Sequence, residues 1–102
     1  MKRPYELTED ADADINALWL YIAQNRSPDT ADRLANRIYD AFELLTENPF
    51  MGHQREEMTD RPVRFWNVGR YTIVYRPLPP PLRILAILHG ARDLAPILDS
   101  RE

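Results

Sequence analysis

The residues able to carry chemistry are few. There is no cysteine, which excludes disulfides, thiolate nucleophiles and cysteine-bound zinc together. Asp10, Asp12 and Asp14 have the spacing that opens an EF-hand loop, but Ile15 stands where that loop needs glycine and Tyr21 where it needs the bidentate glutamate. An acidic helix start accounts for them better. Of the two serines, Ser27 reads as a helix cap and Ser100 lies near a terminus, so no serine triad is expected. His53 and His89 lack a second ligand at metal spacing, and Gly52, Gly69 and Gly90 lie too far apart for a phosphate loop. No metal and no cofactor are therefore expected. What remains is a set of arginines interleaved with aromatic residues: Arg64, Trp66, Tyr71, Tyr75, Arg76, Arg83, His89 and Arg92. Such a set can stack on RNA and contact its phosphates, or hold an acidic peptide laid on a sheet. It can equally be the solvated face of that sheet.

The elements that must position these residues follow from periodicity. Tyr5 and Leu7 alternate with Pro4 and Glu6, the pattern of a short edge strand. Thr8 caps a first helix with Glu9, Asp10 and Asp12 in its opening turns, and Ala11, Ile15, Leu18, Trp19 and Ile22 carry it to about Asn25. Ser27-Pro28 starts a second helix, striped by Ala31, Leu34, Ala35, Ile38, Phe42 and Leu45 and stopped near Glu47 by Asn48-Pro49. The short gap predicts an antiparallel helical hairpin. Trp19, Tyr39 and Phe42 are assigned to its core, and residues 49–61 to a loop.

From Pro62 the period changes to that of strands, at residues 63–68, 71–75 and 82–88. Gly69-Arg70 makes a two-residue hairpin turn, which sets Val68 opposite Tyr71, Trp66 opposite Ile73 and Arg64 opposite Tyr75. The proline-rich stretch 77–81 is a stiff loop, and residues 93–98 can form a short terminal helix. The order strand, helix, helix, three strands predicts an α+β fold, a helical hairpin packed on a small antiparallel sheet. A chain of 102 residues suits one domain spanning 1–102.

Charge is unevenly divided. Residues 1–60 hold six basic groups against thirteen acidic ones, a net of −7, and residues 61–102 hold seven arginines against three acids, a net of +4. Twelve of the thirteen basic residues are arginine, the residue suited to flat bidentate contacts with carboxylates. The division fits either an ordinary solvated surface or a cationic second half presented to an acidic partner. The longest apolar run, Ala17 to Ala23, is too short to span a membrane. Met1-Lys2-Arg3 opens like a signal peptide, but Pro4, Glu6, Glu9 and Asp10 follow where an apolar stretch belongs. A soluble, cytoplasmic protein is expected, with no membrane association.

Taken in order, several segments resemble the RelE/ParE superfamily of type II toxins. They are Tyr5-Glu6-Leu7-Thr8, then Asn48-Pro49-Phe50-Met51-Gly52-His53, then Arg64, then residues 69–75, then Ile87-Leu88-His89-Gly90-Ala91-Arg92-Asp93-Leu94. The ending His89-Gly90-Ala91-Arg92-Asp93 resembles the ParE branch. The resemblance implies a bacterial toxin neutralised by a cognate acidic, ParD-like antitoxin, forming a hetero-oligomer with it. In the ParE branch it implies action on DNA gyrase as a binding protein rather than an enzyme, without sequence-specific DNA contact. The aromatic residues and positive charge of the sheet half point to Trp66, Tyr71, Tyr75, Arg76 and Arg83 as the antitoxin surface, and their place just after the last strand points to Arg92 and Asp93 as the residues that meet the target.

Two alternatives stand beside it. In a RelE-type ribosome-dependent mRNA endonuclease, Arg64, His89 and Arg92 would be catalytic. That branch often has an arginine after the middle-strand tyrosine and a tyrosine near the C-terminus. Here Thr72 takes the first position and Tyr75 is the last tyrosine of the chain. The third reading is a degenerate toxin that keeps only antitoxin binding.

Overall fold

The computed structural model describes residues 5–90, 97, 100 and 101. The element order is β1 (Tyr5–Leu7), α1 (Glu9–Asn25), α2 (Pro28–Glu47), β2 (Arg64–Val68), β3 (Tyr71–Arg76) and β4 (Leu82–His89). Both helix starts are built as their sequences dictate. The Thr8 hydroxyl accepts from the Ala11 amide and Ser27 from the Thr30 amide, each at 3.1 Å, satisfying amides that a helix cannot pair internally. Gly69 closes the β2–β3 hairpin at φ 58°, a conformation that costs glycine nothing.

The strands lie in the order β1-β4-β3-β2. The β2–β3 register is the one the two-residue turn sets, with Val68 opposite Tyr71 and Arg64 opposite Tyr75. The sheet is mixed, however. β2, β3 and β4 are antiparallel, whereas Tyr5–Leu7 pairs parallel to Leu82–Ile84. A long connection separates β1 from β4, and only such a connection lets two neighbouring strands run the same way. His53 exchanges two backbone hydrogen bonds with Phe65, at 2.8 and 2.9 Å, so the segment expected as loop also lengthens the outer edge of the sheet.

Both sheet faces are buried. On one face Ile73, Tyr75, Leu82, Ile84 and Ile87 pack with Ala11, Ile15, Leu18, Ile38, Phe42 and Leu45 of the helices. On the other, Phe65, Val74, Leu85, Ala86 and Leu88 form a second cluster under Met58, Val63 and Ile97. A β-bulge joins the two: pairing passes from Val74–Ala86 to Tyr75–Ile84, leaving Leu85 as the extra residue. Of the aromatics assigned to the helical core, Phe42 is fully buried, while Tyr39 is exposed and meets Phe42 edge-on at 5.5 Å. Trp19 is half-buried and ties the helices together, its indole N–H donating to Asp32 at 2.9 Å. Among the described residues no helix is long and apolar enough to cross a membrane.

Tyr75 is the largest fully buried side chain. Its hydroxyl donates to the Pro49 carbonyl at 2.8 Å and accepts from the Gly52 amide at 2.9 Å. A Cβ at Gly52 would meet that oxygen at 2.5 Å and the Phe65 carbonyl at 2.9 Å, so only glycine lets the loop lie down on the phenol. Replacing Tyr75 by phenylalanine leaves the Gly52 amide without its acceptor and should lower stability by about 1–3 kcal/mol, read from urea unfolding. Burial holds the Tyr75 phenol above its ordinary pKa, against smaller opposing effects of the Gly52 hydrogen bond and the Arg64 charge. A raised folded pKa gives stability that is complete below the unfolded value, about 10, and lost as pH climbs through the folded value. Stability should therefore fall above about pH 10, and less steeply in Tyr75→Phe; an equal fall in both would assign the loss to other groups.

Candidate functional site

The arginines and aromatics singled out by sequence do not share one surface. Trp66 and Tyr71 are half-buried on the helix-covered side. Tyr75 is in the core, so its expected role as an antitoxin contact is corrected: the helical hairpin and the Pro49–Gly52 loop cover it. Arg76 and Arg83 stand opposite each other on β3 and β4, on the far side of the sheet. Arg64 is engaged internally. It donates to the Phe50 and Gly52 carbonyls at 3.1 and 2.8 Å, and its guanidinium lies 5.1 Å from the centre of the Phe50 ring. His89 sits at the opposite end of the strands, opposite Tyr71, while Arg64 is opposite Tyr75. Those positions are four steps apart on β3, about 13 Å along the strand, so the strands do not bring Arg64 and His89 to one place. Arg92 and Asp93 lie outside the described residues.

The structure instead builds a cleft of about 1150 Å³ between the turn end of the helical hairpin and the β3–β4 end of the sheet. Local sequence explains its position. Toward the Phe42 end, α2 buries Ile38, Ala41 and Leu45 against the sheet. Toward the hairpin turn, the face of α2 bordering the cleft carries Arg33 and Arg37, one turn apart. Charged heads are not buried unpaired, so the core runs out and the hairpin stands off. The Arg37 guanidinium lies 3.8 Å from where a Cβ would stand at Gly69.

Leu18, Ile22, Leu34 and Ile87 give the cleft an apolar floor, and Arg26, Arg33, Arg37, Arg70 and His89, all exposed, stand around it. Tyr21 and Tyr71 line it as well. The Tyr71 and His89 rings are 5.0 Å apart, and burial holds the Tyr71 phenol above its ordinary pKa, with the nearby Tyr21 adding to the shift. Among the described residues none of the four arginines forms an ion pair. Three of them come from the half of the sequence with net charge −7. Summing charge by halves concealed them; the i, i+4 spacing of Arg33 and Arg37 was the signal that could have shown them. The cationic surface is therefore shared between both halves of the chain.

Among the described residues one acid lines the cleft, Asp14. Its carboxylate accepts from the Ile87 amide at 3.0 Å and is held by Arg101 through two hydrogen bonds, at 2.8 and 3.2 Å. Arg101 also donates to the Leu85 carbonyl at 3.1 Å and lies 3.6 Å from Asp10. The Asp14 hydrogen bond foremost, with the Asp14 and Asp10 charges, raises the guanidinium pKa further against the lowering effect of burial, so it stays charged at any working pH. Sequence reasoning treated Asp10 and Asp14 only as helix-start acids and gave Arg101 no role. Among the described residues no group of three His, Asp or Glu side chains is placed to hold a metal.

An apolar-floored cleft rimmed by arginines that form no ion pair among the described residues suits a segment with apolar and acidic faces. Residues 5–94 match the family model described as ParE toxin of type II toxin-antitoxin system, parDE. The chain is 29% identical over 91 residues to Toxin ParE1 of Caulobacter vibrioides, covering 89% of this chain and 93% of that protein. Its fold is similar to a chain from the structure titled chromosomal ParDE TA system from P. aeruginosa, with a TM-score of 0.73 at 19% identity, over 85% of this chain and 95% of that one. With the family model matched from β1 to beyond β4, this chain belongs to the ParE toxin family of type II toxin-antitoxin systems.

Proposed function

We propose that this protein is the toxin of a type II pair, acting in the cytoplasm by inhibiting DNA gyrase and silenced by a cognate acidic, ParD-like antitoxin. The observation that carries the antitoxin half is the cleft: Arg26, Arg33, Arg37 and Arg70 lack ion-pair partners among the described residues and surround an apolar floor. A disordered acidic tail that folds on binding fits such a surface, placing apolar side chains on the floor and carboxylates against the arginines. Tyr71 belongs to this contact. Arg76 and Arg83, on the far side of the sheet, would be reached only by a tail that wraps the edge. Membership of the ParE family supports gyrase as the target, and Arg92 and Asp93, after the last strand, are proposed to meet it. The separation of Arg64 from His89 favours this reading over an endoribonuclease.

Induced alone, the chain should arrest growth, and co-expression of a short neighbouring reading frame should relieve the arrest. Purified toxin should block supercoiling of a relaxed plasmid by gyrase, and Arg92→Ala should lose that inhibition while still binding antitoxin. Primer extension after induction should show no new mRNA 5′ ends; reproducible cleavage would move the chain to the ribonuclease branch. Arrest without loss of supercoiling activity would remove gyrase as the target, and no arrest at all would leave a degenerate toxin.

Charge reversal at Arg33 and Arg37 together should weaken antitoxin binding at least about tenfold. Because both side chains are exposed, stability should stay within about 0.5 kcal/mol for each substitution. Unchanged affinity would place the antitoxin elsewhere.

A further inference from the structure

The cleft and the C-terminal end of the chain share one side chain, Asp14. Beyond Ile84, β1 no longer pairs with β4, and side chains take over that edge. Asp14 accepts from the Ile87 amide, while Arg101 and Thr8 donate to the Leu85 carbonyl. Arg101 is thus a latch. It sits at the β4 edge, the Arg61 guanidinium donates to its carbonyl, and Ile97 packs on the second apolar cluster. The Arg101 and Asp14 side chains are each only 17% exposed, so the two charges compensate each other away from bulk water.

We propose that this latch sets the sign of the cleft, so that docking of an acidic segment and fastening of the C-terminal end form one coupled equilibrium. Latched, Asp14 is neutralised by Arg101, and among the described residues the wall presents Arg26, Arg33, Arg37, Arg70 and His89 to an incoming carboxylate. Unlatched, the Asp14 carboxylate becomes a free negative charge inside the site and repels the same partner. An acidic segment therefore binds the latched form more tightly, and by linkage its binding fastens Arg101. The inference rests on the cleft being the docking surface for an acidic segment. It adds that the partner controls the chain end without touching it, through one carboxylate.

A synthetic amphipathic helix peptide, with leucines at i, i+3, i+4, i+7 spacing and glutamates between them, serves as the probe, and its lysine counterpart as the control. The wild-type chain should bind the glutamate peptide and not the lysine one. Arg101→Ala should weaken binding about tenfold, within the usual range of site-to-site coupling. Arg101→Ala with Asp14→Asn should return it to within about twofold of wild type, because the repelling charge is gone. Arg55→Ala removes one exposed positive charge outside the cleft and should change little. Peptide binding should also slow amide exchange at Ser100 and Arg101 in the wild type. Equal affinity of wild type and Arg101→Ala, or no rescue by Asp14→Asn, overturns the latch and leaves the docking surface standing. Failure of the wild-type chain to bind the acidic peptide overturns both.

Discussion

β4 is apolar on both sides, and a strand of that kind must be covered twice. Ile84 and Ile87 point into the helix-side cluster, and Leu85, Ala86 and Leu88 into the other. Such strands are usual in sheets that lie between two layers. The helical hairpin supplies one cover. The segment around Met58 and Val63, with Ile97, supplies the other. β1 and β3 pair along the edges of β4, and where β1 ends, Asp14 and Arg101 complete the hydrogen bonding. The Leu85 bulge belongs to the same arrangement, since it shifts the alternation of β4 so that Ile84 and Ile87 both face the helix-side core, which Tyr75 enters from β3. Once there, the Tyr75 hydroxyl must be satisfied, and the loop at Pro49–Gly52 does so.

The cleft exists because this covering is incomplete. The hairpin packs tightly where α2 offers Ile38, Phe42 and Leu45, and stands off where the α2 face bordering the cleft offers Arg33 and Arg37. An isolated guanidinium is too costly to desolvate without an anion, so four of them around one apolar floor make a surface whose best complement is acidic. The overall net charge of −3 is no guide here. Recognition across an interface depends on local potential, which screening confines to roughly 8–10 Å at physiological salt. That arginine rather than lysine fills these positions suits paired contacts with carboxylates.

The elements were legible because each start and stop is local chemistry. Thr8, Ser27-Pro28, Asn48-Pro49 and Gly69-Arg70 act on their immediate neighbours, and the helix limits and the β2–β3 register lie where those residues put them. The parallel pairing of β1, the bulge at Leu85 and the pairing of His53 with Phe65 were not legible. Each depends on which distant segment lies alongside, and no local pattern records that. Tyr75 illustrates the difference. Simple alternation marks it as a strand residue with one of two faces to choose, and only the covering of both faces makes it core.

The sequence by itself determined the kinds of element, their order, the helix-facing stripes and the absence of thiol chemistry, because propensity, capping and period act over a few residues. It also carried the resemblance to a toxin family, since that resides in ordered segments of the chain. Only the tertiary structure decided where charge accumulates. Arg26, Arg33 and Arg37 lie far from Arg70 and His89 in the chain, and Asp14 lies 87 positions from Arg101. They meet because the hairpin folds back over the end of the sheet, and electrostatic interaction depends on distance through space, not along the backbone.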